Sequence, residues 1–203
     1  MRCDIQLIYS KRVDLHRALL TDIQREFPSF AIVKKRDVAL QKAIDIFLKA
    51  ITLGGQRAYL TRYHTVLFGK LYVPDTWDAM VDIDRVILLR HERVHLEQGR
   101  RMGFFMMAVV YLLPFFPLGL AYGRARIEWE AYEETIAATL QFLGREAALS
   151  LKPWLVERFV GPDYGWMWPF PKTIERWFDA AYEKAARRYP NLSCNASPPK
   201  MTD

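Results

Sequence analysis

Residues 91–98 read HERVHLEQ, and the first five carry the spacing His-Glu-x-x-His. On a helix, residues four apart share one face, about 40° apart around the axis. His91 and His95 would therefore present two imidazoles to one tetrahedral metal, while Glu92 projects from the adjoining side. Neutral imidazoles hold Zn2+ and leave it Lewis-acidic, so that a bound water ionises near pH ~7. A carboxylate outside the ligand set can then serve as general base and later as acid. The same residues also fit a solvated helix face, because Arg90, Arg93 and Glu97 stand close by. Two of the chain's four histidines fall in the motif, which lies inside a long helical pattern where the spacing has geometric meaning.

A hydrolytic zinc takes three protein ligands and leaves one position open. No histidine follows His95, so the third ligand must be sought among carboxylates. The helical segment Arg126–Glu134, RIEWEAYEE, offers Glu128, Glu130, Glu133 and Glu134. HERVH followed by EWEAY resembles the gluzincin metallopeptidases, whose third ligand is a glutamate in an E-x-x-A-(D) setting. Laid on Glu128-Trp129-Glu130-Ala131-Tyr132, the resemblance places that ligand at Glu128. Where the family often has an aspartate four residues after the ligand, this chain has Tyr132. A phenol there would support a zinc-bound histidine or stabilise an oxyanion. The resemblance covers roughly residues 58–135, and its first motif is more specific than its second. Glu92-x-x-His95 also matches one half of a di-iron carboxylate site, but such bundles need a second Glu-x-x-His, and the sequence has none.

Upstream, RAYLTRYHTVLFGKLYVP (57–74) is rich in Tyr, Val, Thr and Phe. It predicts one long strand, or a hairpin turning near Phe68-Gly69-Lys70. Zincin folds place an extended edge strand before the motif helix, and Tyr59–Val73 stands in that position. Asp75 or Thr76 is the candidate cap of a helix running from about Trp77 to Arg101. Helical periodicity also marks 13–27 and 37–53, the latter stopped by Gly54-Gly55.

Downstream, 102–123 contains no charged side chain and is long enough to cross a bilayer. His91 and His95 precede this run and Glu128 follows it. A single crossing would put the ligands on opposite sides, so a shared site requires the run to fold back. Pro114, Pro117 and Gly119 are the natural break. The run is then a buried helix–turn pair or a re-entrant hairpin, and the polar character of the remaining chain favours the first. Flanking arginines, Arg100, Arg101, Arg124 and Arg126, would suit an anionic membrane surface.

Charged helical sequence resumes at Arg124 and reaches about Leu143, before Gly144. A helix from about Lys172 to Arg188 carries Ile174, Trp177, Phe178, Ala181, Tyr182 and Ala185 at helical spacing. Between them, Tyr164, Trp166, Trp168 and Phe170 either wall a cleft, with Tyr164 as an oxyanion donor, or pack a proline-rich loop onto the core. His16 and His64 are isolated. Asp82 and Asp84 are surface charges, or partners that orient an imidazole.

Composition agrees with a folded globular chain: 203 residues, 51% hydrophobic and 26% charged. The net charge of +6 is scattered rather than gathered in a stripe, which argues against a nucleic-acid partner. Cys3 and Cys194 form no ligand cluster or disulfide framework. No secretory signal pattern opens the sequence, so a cytoplasmic location is expected. Asn191 and Asn195 begin Asn-x-Ser sequons of chance length.

The expected fold is α+β and mostly helical: a single zincin-like, minimal gluzincin domain over 1–190 with a flexible tail over 191–203. As the resemblance implies, His91, His95 and Glu128 would bind Zn2+, Glu92 would activate water, and Tyr132 would assist in hydrolysis of a peptide or protein substrate. The alternative is a catalytically inactive zincin-fold metal-binding or interaction module, membrane-associated through 102–123.

Overall fold

Two residues with positive φ, Phe68 (φ 49°) and Gly69 (φ 75°), reverse the chain between β2 (Thr65–Leu67) and β3 (Lys70–Val73). A two-residue loop with both φ positive matches the right-handed twist of the strands it joins, so Thr65–Val73 forms a hairpin rather than part of one long strand. β3 is the central strand of three. It pairs antiparallel with β2 (Val66 opposite Leu71) and parallel with β1 (Ile32–Lys34, Val33 opposite Tyr72).

The computed structural model describes residues 5–51, 58–112, 121–161 and 166–190. The expected break at Pro114, Pro117 and Gly119, the Gly54-Gly55 stop, Tyr164, both cysteines, both sequons and the tail 191–203 lie outside these residues. The chain divides into two compact units, Met1–Ala108 and Val109–Asp203. Among the described residues the chain is mostly helical with one small sheet.

In the first unit, α1 (Ile5–Glu26) and α3 (Asp82–Met102) pack together over the sheet. Ile23, Phe27, Phe30, Leu71, Val73, Trp77, Leu89 and Leu96 form the core. β1 leads through a 3-10 turn (Lys35–Asp37) into α2 (Ala39–Ile51). A second 3-10 turn (Asp75–Ala79) precedes α3 and buries Trp77. The motif helix consequently begins at Asp82, not near Trp77. Neither Asp75 nor Thr76 caps it; Val81 holds that place without a side-chain bond. Arg85 secures the join instead, donating to the carbonyls of Trp77 (3.2 and 3.1 Å) and Asp78 (2.8 Å). Gly103 (φ 81°) ends α3, and α4 (Phe104–Leu112) follows at once.

The second unit is a three-helix arrangement in which α5 (Tyr122–Leu143), α6 (Arg145–Val160) and α7 (Pro171–Arg188) each pack on the other two. Trp129, Tyr132, Ile136, Leu155, Phe159, Ile174 and Phe178 fill its centre. Gly144 (φ 88°) ends α5 as its position suggests, but helix resumes at Arg145. Pro153 lies inside α6 and does not end it, although it removes one backbone donor and crowds the preceding turn. Of the aromatic residues read as walling a cleft or packing a loop, Trp168 and Phe170 make packing contacts beside the buried Met167. Met167 is fully buried and its carbonyl accepts from the Ala121 N–H (3.1 Å), while Trp168 packs on Phe170 and Tyr122. Trp166 (φ 50°) stays exposed. Among the described residues, no helix is long and apolar enough to cross a membrane.

Candidate metal centre

α3 buries two faces. Ile83, Val86, Leu89 and Leu96 form an apolar arc, and His91, Glu92, His95 and Gln98 form a second arc that is polar yet equally buried. Buried polar groups cost free energy unless they are partnered, so this polar arc calls for a chemical reason. The solvated charged face also exists, on another part of the same helix. There Arg93 meets Glu26 at 2.6 Å and Glu97 at 3.6 Å, and Arg100 meets Glu26 at 3.1 Å.

The His91 and His95 rings face one another edge-on, with centroids 5.0 Å apart and planes at 80°. The Nδ1 of His95 lies 2.9 Å from Oε1 of Gln98. An amide oxygen only accepts, so this contact places the His95 proton on Nδ1 and leaves the Nε2 lone pair available. Gln98 takes the orienting role that was the alternative for Asp82 or Asp84, and their surface-charge reading holds. Asp82 is engaged with Arg85 (3.1 Å) and Asp84 is exposed. Gln98 is three residues past His95, the ordinary helical neighbour spacing. It was visible in the quoted stretch, but its burial was not.

Of the four glutamates between 128 and 134, only Glu128 is buried; Glu130, Glu133 and Glu134 are partly exposed. Glu133 accepts from Trp129 Nε1 (3.1 Å) and Lys184 (3.1 Å), and Glu134 pairs with Arg188 (3.7 Å). Tyr132, one turn beyond Glu128, is buried with its ring against Phe159 and Trp154.

His91, His95 and Glu128 together form a group able to hold a metal ion: one ligand atom from each lies within 4.8 Å of the others, and all three residues are buried. Ligands about 2.0–2.2 Å from a tetrahedral zinc would sit roughly 3.3–3.5 Å from each other. The ligand atoms would have to draw closer than 4.8 Å to hold such an ion. Two imidazoles and one carboxylate, with one imidazole oriented by an outer acceptor, form a donor set that suits zinc.

Glu92 is buried too. It interacts electrostatically with Lys35, a residue that the sequence reading did not single out. Lys35 is 1% exposed, donates to the Tyr59 carbonyl and the Thr65 hydroxyl (2.9 Å each), and lies 3.5 Å from the Tyr59 ring centroid. Burial pushes its pKa down to about 7, against the opposing negative charges of Glu92 and Asp45. No pattern of spacing announces a buried lysine in a turn.

His16 and His64 do not join the metal group. Their rings pack on Trp77, with centroids 6.3 and 5.9 Å away. Burial, then the Arg85 charge, push the His16 imidazole below its ordinary pKa, with Asp82 opposing. No family model, curated protein or solved structure matches this chain.

Proposed function

We propose that the protein is a zinc-dependent peptide-bond hydrolase with a zincin-like centre. The observation that carries this reading is the buried His91–His95–Glu128 group, with Glu92 buried beside the first ligand. When bound, Zn2+ supplies Lewis acidity and brings the ionisation of water toward neutral pH. The chain's own residues do the rest. His91, His95 and Glu128 hold the metal, and Gln98 fixes the His95 tautomer. The Glu92 carboxylate takes the proton from the attacking water and passes it to the leaving amine. Tyr132, anchored in the core of the second unit, supports the ligand set or donates to the developing oxyanion. A peptide lying along β2, which is an edge strand, would add main-chain hydrogen bonds.

Metal analysis of purified protein, paired with cleavage of a broad peptide library, tests the reading. Stoichiometric zinc is expected in wild type and in Glu92→Gln, with proteolysis lost only in the variant. His91→Ala and Glu128→Ala should lose both. Wild type without zinc overturns the proposal, and zinc without cleavage leaves a metal-binding module in its place.

A further inference from the structure

α2 partly inverts the usual arrangement of a helix on a protein surface: Ile44 and Leu48 are half-buried, but polar side chains take its most buried positions. Surface helices turn their apolar stripe to the core and their polar face to water. Here the inward residues include Gln41 and Asp45, both buried, while Leu40 (47%), Phe47 (59%) and Ile46 (67%) stand exposed. At 100° per residue, these three and the exposed alanines Ala39, Ala43 and Ala50 fall within about 120° of arc. The result is a continuous apolar ridge along the whole helix.

The inversion is held in place from inside. The Tyr59 hydroxyl donates to Gln41 Oε1 (2.6 Å), and Asp45 accepts from Lys49 (2.5 Å). Rolling the helix to bury its apolar side would break the Tyr59–Gln41 bond and expose Tyr59 and its partner Lys35, whereas the Asp45–Lys49 pair lies within the helix and only neutralises the buried carboxylate. Lys42 and Lys49 lie along one border of the ridge, between the buried arc and the exposed one. Lys42 is exposed and makes no ion pair among the described residues.

An apolar ridge bordered by lysines, on a chain of net charge +6, matches helices that lie in a membrane interface. Such helices sink the apolar side to acyl-chain depth and leave cations among anionic headgroups. The same unit exposes Met102, Phe105 and Met106 just after Arg100 and Arg101. That turn begins the uncharged run, whereas α2 is a separate apolar surface. A convex ridge suits a deformable lipid surface better than it suits a preformed groove. We propose that the first unit docks on an anionic lipid surface through the Leu40–Ile46–Phe47 face of α2. This inference stands apart from the metal centre.

Cosedimentation of the full chain with lipid vesicles tests it. Wild type should bind vesicles of phosphatidylcholine containing phosphatidylserine, and bind phosphatidylcholine alone far less. Added salt should weaken the association. Ile46→Glu/Phe47→Glu changes only exposed side chains and should weaken binding at least about tenfold. Lys42→Gln should weaken it about fivefold. Zinc content and circular dichroism should stay unchanged in each variant. Failure of wild type to bind the anionic vesicles overturns the proposal, as does equal binding by the double variant. A wild-type dimer that the double variant dissociates, with no vesicle binding, would assign the ridge to a second copy instead.

Discussion

His95 Nδ1 lies 2.9 Å from Gln98 Oε1, with both residues buried, a contact that would leave Nε2 as the nitrogen free to face a metal. Removing the acceptor frees the ring to turn and lets either nitrogen carry the proton. Loss of such an outer partner typically lowers metal affinity 10–100-fold. Gln98→Leu should therefore bind zinc about 10–100-fold more weakly in competition with a chromophoric chelator. Gln98→Glu, which keeps an acceptor and adds charge, should restore binding. Unchanged affinity in the leucine variant would reduce the contact to packing.

Metal removal should register as lost stability. An ion that binds only the folded chain stabilises it by about 2.7 kcal/mol when its free concentration is a hundred times Kd. Chelation should thus lower the Tm of wild type. Glu128→Ala lacks one of the three grouped ligands and should melt at one temperature with or without zinc. Thermal melts of both proteins, with zinc or with EDTA, make the comparison. Equal zinc dependence in both would remove Glu128 from the ligand set.

Lys35 should impose a pH dependence of definite sign. Its pKa falls from 10.5 to about 7 in the folded chain, chiefly through burial. Between those values the unfolded state binds a proton that the folded state gives up, so stability rises with pH across that window. Below about pH 7 both states carry the charge and the cost of burying it is constant. Lys35→Met removes the ionisation and should flatten this rise. Urea midpoints of the two proteins from pH 7 to about 10 test it, and a parallel pH response in both would refute it.

How much of this was legible in advance depended on how local each signal was. The mostly helical fold with a small sheet follows from periodicity, and Gly69, the only glycine in 58–74, marks where the hairpin alternative would turn. β1, three residues long and paired in parallel with a distant strand, carries no periodicity to detect. α6 escapes because Pro153 looks like a terminator, yet packing of Leu155 and Phe159 into the core carries the helix through it. Trp77 has the right spacing for α3, but its burial in a 3-10 turn delays the helix to Asp82. At the candidate metal centre, His91 and His95 were nameable from residue type and spacing, and Glu128 from the family resemblance. Gln98 and Lys35 were not, because their significance lies in burial, and burial is a property of the fold.

Phe68 stores strain in the hairpin. Its φ of 49° is left-handed, which costs an ordinary L-residue roughly 1–2 kcal/mol, and its exposed side chain recovers little of that. Asparagine tolerates this region and is favoured in such turns. Phe68→Asn should therefore stabilise the protein by about 1 kcal/mol, read as a higher urea midpoint with unchanged slope. A lower midpoint would mean that the exposed ring contributes more than the strain costs.

Gly99 sits one turn beyond His95, under the ring of Phe104. A Cβ built there would lie 2.2 Å from Phe104 Cε1 and 2.5 Å from Cδ1, far inside contact distance. One edge of the ring meets this position, and Cδ1 is close to the ring's attachment, so a tilt of the tip does not make room. The whole side chain, and with it the junction of α3 and α4, has to move. Overpacking of this kind typically costs about 1–3 kcal/mol, which outweighs the helix propensity that alanine adds. Gly99→Ala should lose stability in that range. Phe104→Ala removes the obstructing ring, so adding Gly99→Ala to it should cost nothing or stabilise slightly. The coupling between the two substitutions in a double-mutant cycle, measured by urea denaturation, is the test. If the cost of Gly99→Ala is the same with and without the Phe104 ring, close approach of that ring is not what requires glycine at this position.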